Sequence, residues 1–239
     1  NSSEDAEEQM IKCGSFTSSS ANQAINLGWE PQFVLIKSSS NNMSWYIFDT
    51  MRGIVTSGND SILAPNDALV EETATQYLEV TPTGFISHFN ALAGSRNYIF
   101  MAIRAENMVE PEAATNVFAI AAADSTIPQH NSSFPVDMAM KRNVNVSDGM
   151  SIGARMVGTR RMLSSTAAAE TTNANNTWDF MDGWSKQASA NAAVYSWMWK
   201  RAKGYMDVVA YSGNSTTNRA IPHSLGVAPE MIWVKSRTA

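Results

Sequence analysis

The chain has 239 residues, a net charge of −5, 44% hydrophobic residues and only 16% charged ones. That length allows one large or two small domains with a sizeable core, and the composition excludes a charged, disordered chain. Net acidity gives a nucleic-acid-binding surface no overall electrostatic support, so no nucleic-acid partner is expected. Cys13 is the single cysteine, which excludes an internal disulfide and a cysteine-based metal site. No apolar run reaches membrane-spanning length, so membrane insertion is not expected.

In chain order, the first ten residues are acidic. Phe33–Ile36 is a short apolar strand closed by the polar cluster from Ser38 to Asn42. Ser44–Asp49 is a second strand, ending before Arg52-Gly53, and Tyr77–Val80 a third, ending at Thr81-Pro82-Thr83-Gly84. Tyr98–Arg104 is apolar at both parities, the pattern of a central strand buried on both faces. Ala113–Ala123 has the best helical composition, although Val117-Phe118-x-Ile120 reads equally well as a strand. Val194–Lys200 is the later counterpart of Tyr98–Arg104. Short strands separated by turn signals predict an all-β, antiparallel β-sandwich.

Parts of the chain recur. Asn22-Gln23-Ala24-Ile25, Leu27-Gly28-Trp29-Glu30-Pro31 and Phe33-Val34-Leu35-Ile36-Lys37 return as Asn218-Arg219-Ala220-Ile221, Leu225-Gly226-Val227-Ala228-Pro229 and Met231-Ile232-Trp233-Val234-Lys235. A looser copy lies between them. Pro31 through Lys37 matches Pro135 through Lys141, Leu63 matches Leu163, Gly84-Phe85 matches Gly183-Trp184, and Tyr98-x-Phe100-Met101 matches Tyr195-x-Trp197-Met198. Recurrence at a fixed spacing is the mark of copied units. The expected organisation is a first β repeat unit over 1–105, a connector over 106–134, a second unit over 135–204 that may complete one sandwich with the first, and the start of a further repeat over 205–239. The last copy stops just after its first strong strand, so the chain is expected to be cut from something longer. In the Leu-Gly-x-x-Pro motif the glycine permits positive φ and the proline sets the entry to the next strand. Gly28, Pro31, Gly226 and Pro229 are therefore read as fold-defining.

The runs Tyr98–Arg104, Phe134–Met138, Met181–Trp184, Asp207–Asn214 and Ile221–Ile232 resemble repeat modules of tailed-phage virion proteins, of the kind common in marine and cyanobacterial phages. The resemblance covers nearly the whole chain. It implies concanavalin-A-like or laminin-G-like jelly-roll sandwiches with internal repeats, carried on fibre, tail or capsid-surface proteins of the virion. The implied partners are other copies of the chain and other virion proteins. Such modules keep an acidic and a basic residue near the positions of Asp49 and Arg52, where the second unit has Ala154 and Val157.

No catalytic motif is carried over. A glucanase on this fold needs carboxylates at Glu-x-Asp-x-x-Glu spacing, which is missing, as are nucleophile-elbow, zincin and phosphate-loop patterns. No enzymatic activity is expected. Host-surface glycan binding is the alternative role, because sugars stack on exposed rings and hydrogen-bond to Asn and Asp. Trp45, Trp197 and Trp233 sit in strands and are expected to fill the core. Trp29 and Trp178 lie in turn-like contexts and are the candidates for glycan or partner contact. No cofactor is expected, apart from calcium on Asp49, Asp137 and Asp207 of the sort laminin-G-like sandwiches carry.

Overall fold

Strand alternation organises this molecule: apolar side chains at every second position close one face of each large sheet over a core. The computed structural model describes residues 10–19, 21–56, 58–89, 95–105, 108–187 and 191–238. The fold is all-β with antiparallel sheets, consistent with a β-sandwich. The chain divides into two compact units, one of residues 1–107 with 210–222 and the other of 108–209 with 223–239.

The first unit holds β1 (Ile11–Thr17), β2 (Gln23–Asn26), β3 (Pro31–Ser38), β4 (Tyr46–Asp49), β5 (Leu78–Thr81), β6 (Gly84–Ser87) and β7 (Asn97–Arg104). Its large sheet runs β1-β7-β3-β4, extended by an isolated bridge from Ile47 to Leu63, and its small sheet runs β2-β6-β5. Val34 and Ile36 of β3 and Tyr98, Phe100 and Ala102 of β7 point into the core. The core is aromatic: Phe16 stacks on Tyr98 at 5.2 Å, and Phe89 packs between Tyr98 (4.8 Å) and Tyr77 (5.2 Å).

The second unit holds β8 (Phe118–Ala122), β9 (His130–Asn131), β10 (Met138–Asn143), β11 (Ser151–Ala154), β12 (Arg160–Leu163), β13 (Thr171–Thr172), β14 (Gly183–Trp184) and β15 (Val194–Trp199). Its large sheet runs β8-β15-β10-β11-β12-β13 and its small sheet pairs β9 with β14. Reading outward from the edge where each unit begins, the two large sheets take their strands in the same chain order. The second core is built on Trp184, stacked at 4.9 Å on Trp178 and at 5.8 Å on His130, with the Lys141 ammonium 5.2 Å from its ring centre.

The same turn chemistry opens the central strand of both units. Leu27 and Gly28 donate their N–H groups to the Thr83 carbonyl (2.8 and 3.0 Å), and Ser132 and Ser133 donate theirs to that of Asp182 (2.7 and 3.3 Å). Gly28 (φ 88°) and Ser133 (φ 68°) both occupy the left-handed region. Pro31 follows, buried, at the head of β3. One residue beyond each accepting carbonyl stands a glycine, Gly84 or Gly183. A Cβ there would overlap the carbonyl oxygen of Ile25 or of His130.

Several expectations need correction. The stretch 106–134 is not a connector: it supplies β8 and β9, an edge of the large sheet and half of the small one. Tyr98–Arg104 is not buried on both faces, since Ile99 is 43% exposed and Met101 and Ile103 are half-buried. Residues 205–238 form no strand; Met206 makes only a bridge back to Ala202. Trp233 is 65% exposed, and Trp45 and Trp197 are half-buried outside the core clusters.

The position of Trp197 is set by which face of β15 turns inward. In β7 the residue opposite Val34 of β3 is Ala102; in β15 the residue opposite its counterpart Met138 of β10 is Trp199. Under the match of Pro31–Lys37 with Pro135–Lys141, Trp197 lies opposite Met140 as Phe100 lies opposite Ile36, so the pairing keeps the sequence correspondence. What differs is the face: Phe100 is buried, whereas in β15 the buried residues are Ser196 and Met198 and Trp197 is half-buried between them on the other face.

Candidate functional site

The second face of each large sheet carries a continuous apolar row. In the first unit, residues paired side by side across the strands are Cys13, Met101, Leu35, Ile47 and Leu63. Cys13 and Leu63 are exposed and the other three half-buried. A second row holds Ile11, Ile103, Phe33 and Asp49. Beside the first row, Leu35, Trp45, Pro65 and Asn66 line a shallow apolar pocket. Asn66 Oδ1 accepts the Trp45 backbone N–H at 2.8 Å, which ties the 64–67 turn to the start of β4. A charged rim follows: Arg52 Nε donates to Asp49 Oδ2 at 2.6 Å, and Nη1 reaches Glu71 Oε1 at 3.1 Å.

In the second unit the row is Ile120, Trp197, Met140, Ile152 and Met162, spanning five strands without an ionisable side chain. Phe118, Trp199, Met138 and Ala154 form the next row, with the Phe118 and Trp199 rings 5.3 Å apart. Ile120 is 55% exposed, and Tyr195 is 38% exposed beside Arg142. Period-two alternation with apolar residues at both parities produces this face: one parity fills the core, and on the other Ile120 is exposed, Trp197, Ile152 and Met162 are half-buried and Met140 is buried. Soluble chains seldom leave such contiguous apolar surface uncovered.

The predicted contact residues are not on these faces. Trp29 and Trp178 are each only 4% exposed, which overturns their assignment to surface contact. Trp29 folds under the Gly28 turn into the first core. Trp178 Nε1 donates to the Gly158 carbonyl at 2.8 Å, and its own carbonyl accepts from Arg155 Nη1. Turn residues read as surface residues from sequence, yet here each turn carries its ring inward. Gly226 has φ 75° and sits in an exposed turn, and Pro229 is exposed and heads no strand. The three aspartates are held by arginines: Asp49 by Arg52, Asp207 by Arg201 Nε at 2.6 Å, and Asp137 by Arg155 Nε at 3.4 Å and the Arg201 backbone N–H at 2.7 Å. Asp49 belongs to a different unit from the other two. Among the described residues, no group of three or more His, Cys, Asp or Glu could hold a metal ion.

Two buried titratable groups have no sequence signal. Asp60 lies in the first core, accepting the Tyr77 and Leu78 N–H groups at 2.6 and 2.8 Å. Burial pushes its carboxyl up to about 7 against the pull of those donors. His130 is fully buried, and burial, helped by the Lys141 charge, lowers it to about 4. Both lie inside the cores, away from the apolar rows. The His88–Glu79 pair, at 3.3 Å, belongs to the small sheet of the first unit. The rows and the Trp45 pocket offer apolar area, rings and a charged rim, which suits binding.

Residues 7–107, in the first unit, match the model of a family described as a domain of unknown function (DUF7483). No curated protein and no solved structure matches the chain. Among the described residues, no helix is long and apolar enough to cross a membrane.

Proposed function

We propose that this chain is a non-enzymatic structural component of a phage virion, a fibre, tail or capsid-surface protein that works by assembly and surface adhesion. It is built from repeated jelly-roll modules of the concanavalin-A or laminin-G type, and its partners are other copies of itself and other virion proteins. The shared strand order of the two large sheets and the matching turns at Thr83 and Asp182 support tandem copies. The observation that carries the assembly role is the outward apolar row in each large sheet. Apolar, aromatic and Met-rich surface with a polar rim is the composition of an interface core. Sedimentation of the purified chain over a range of concentrations tests it. Self-association should be present and should fall at least tenfold in Trp197→Asp. A chain that stays monomeric throughout, or a variant that associates like its parent, refutes the role.

A second reading, glycan recognition, rests on the Trp45 pocket, where a half-buried ring stands beside Asn66 and Pro65 on an open face. Screening against immobilised bacterial-surface glycans decides it: Trp45→Ala should abolish any binding that the parent shows. Binding that survives this substitution places the sugar elsewhere.

A further inference from the structure

The segment Met231-Ile232-Trp233-Val234 is the most contiguous run of large apolar side chains left in the open, with exposures of 73%, 70%, 65% and 73%. Among the described residues its backbone forms no strand and makes no backbone hydrogen bond. Both of its ends are nevertheless fastened to the second unit. Upstream, the Ser224 N–H donates to Asp207 Oδ2 at 2.7 Å, the Leu225 carbonyl accepts from the Gly204 N–H at 2.8 Å, and Asp207 is itself held by Arg201. Downstream, Lys235 Nζ donates to the Thr166 carbonyl at 2.6 Å, and Arg237 grips Glu170 through Nε and Nη2 at 2.7 and 3.0 Å. The segment is an apolar strap pinned at both ends with its middle unpaired.

Its sequence identifies what it lacks. Leu225-Gly226-x-x-Pro229-x-Met231-Ile232-Trp233-Val234-Lys235 repeats Leu27-Gly28-x-x-Pro31-x-Phe33-Val34-Leu35-Ile36-Lys37 at the same spacing, and Gly226 (φ 75°) holds the left-handed turn that Gly28 (φ 88°) holds. In β3 the residues at the places of Ile232 and Val234 are Val34 and Ile36, both fully buried. They lie opposite Ala102 and Phe100 of β7. Pairing with β7 holds Val34 and Ile36 in a sheet face that closes over the first core.

We infer that Met231–Lys235 is a docking strand that takes up an antiparallel strand of β7 character, with a small residue opposite Ile232 and an aromatic one opposite Val234. This inference rests on the modular reading above and names the partner for one of its elements. Recognition is by strand addition: main-chain hydrogen bonds supply affinity, and alternate side chains set the register. An antiparallel pairing along one edge engages alternate N–H groups of the strand.

The probe is a peptide with the sequence Asn97–Arg104 flanked by lysines for solubility, added to the intact chain, with amide exchange of residues 229–237 followed by NMR. Protection of Met231–Lys235 amides should rise at least tenfold on alternate residues. It should be lost with a scrambled peptide and in the double variant Ile232→Asp/Val234→Asp, while β10 and β15 amides stay protected and show that the unit is folded. No gain in protection, an equal gain with the scrambled peptide, or a gain that persists in the double variant overturns the inference. If the peptide docks but the chain does not self-associate, the sheet-face assembly role falls and the docking strand stands.

Discussion

Gly84 and Gly183 should be the least replaceable residues in their units, and the reason can be tested one atom at a time. Each follows the carbonyl that collects two N–H groups from the opposite turn, which brings the two backbones into contact there. In Gly84→Ala the new methyl would overlap the Ile25 carbonyl oxygen, with Ile25 C and Leu27 N each 3.1 Å away. In Gly183→Ala it would overlap the His130 oxygen, with Pro128 Cγ at 2.8 Å and His130 C at 3.1 Å. Overpacking costs about 1–3 kcal/mol where side chains can shift. Here the obstacle is main chain bonded into a sheet, so we place each substitution at about 3 kcal/mol. For a unit of this size that lowers the melting temperature by roughly 12 °C. Gly213→Ala, with no neighbour within 4 Å, is the control and should stay within about 0.5 kcal/mol of the parent. Urea titration followed by amide exchange assigns each loss to its unit. If either core glycine tolerates alanine as well as Gly213 does, the close backbone approach is not holding the unit together.

The two cores should respond to pH in opposite directions. Asp60, raised to about 7, gives the first unit stability that is complete below its ordinary value and is lost as pH climbs towards 7; Asp60→Asn should flatten that decline in urea midpoints. His130, lowered to about 4, gives the second unit stability that is complete above its ordinary value and is lost as pH falls from about 6.5 through 4; an NMR titration of its ring should show the depressed midpoint, and an ordinary one would contradict its burial. Trp29→Ala and Trp178→Ala should each cost about 3–5 kcal/mol, as removal of a buried indole does. Trp45→Ala, with its ring half outside, should cost about 1 kcal/mol or less in the same melts.

The parts of the fold legible in the sequence are those with dense β-branched or aromatic runs. Phe33–Ile36, Tyr77–Val80, Tyr98–Arg104 and Val194–Lys200 fall on β3, β5, β7 and β15 to within a residue or two. β1 escapes notice because Cys13, Gly14 and Ser15 break its apolar pattern; it is a strand because β7 pairs along its whole length. β9 and β14 are only two residues each, too short for any periodicity, and are set by one another. The tryptophans were least legible. Chain context assigned the turn rings to the surface and the strand rings to the core, but a turn can fold its ring under, and a strand has two faces. Deciding which face is inward needs the packing over the core: Trp197 keeps the pairing of its counterpart Phe100, yet Phe100 is buried and Trp197 lies on the face opposite buried Ser196 and Met198.

The pairing of each unit's first strand with its last bears on synthesis. Ile11 meets Ile103, and Phe118 meets Trp199. A ribosome adding about 5–20 residues per second leaves β1 without its neighbour for roughly 5–20 s, and β8 waits nearly as long. During that interval the central β3 also lacks one of its two flanking strands, so little of the large sheet can be retained. Such non-local closure places these units among slow-folding β topologies. The strands of the first unit are all made before those of the second, while residues 210–222, which also belong to the first unit, are made after them.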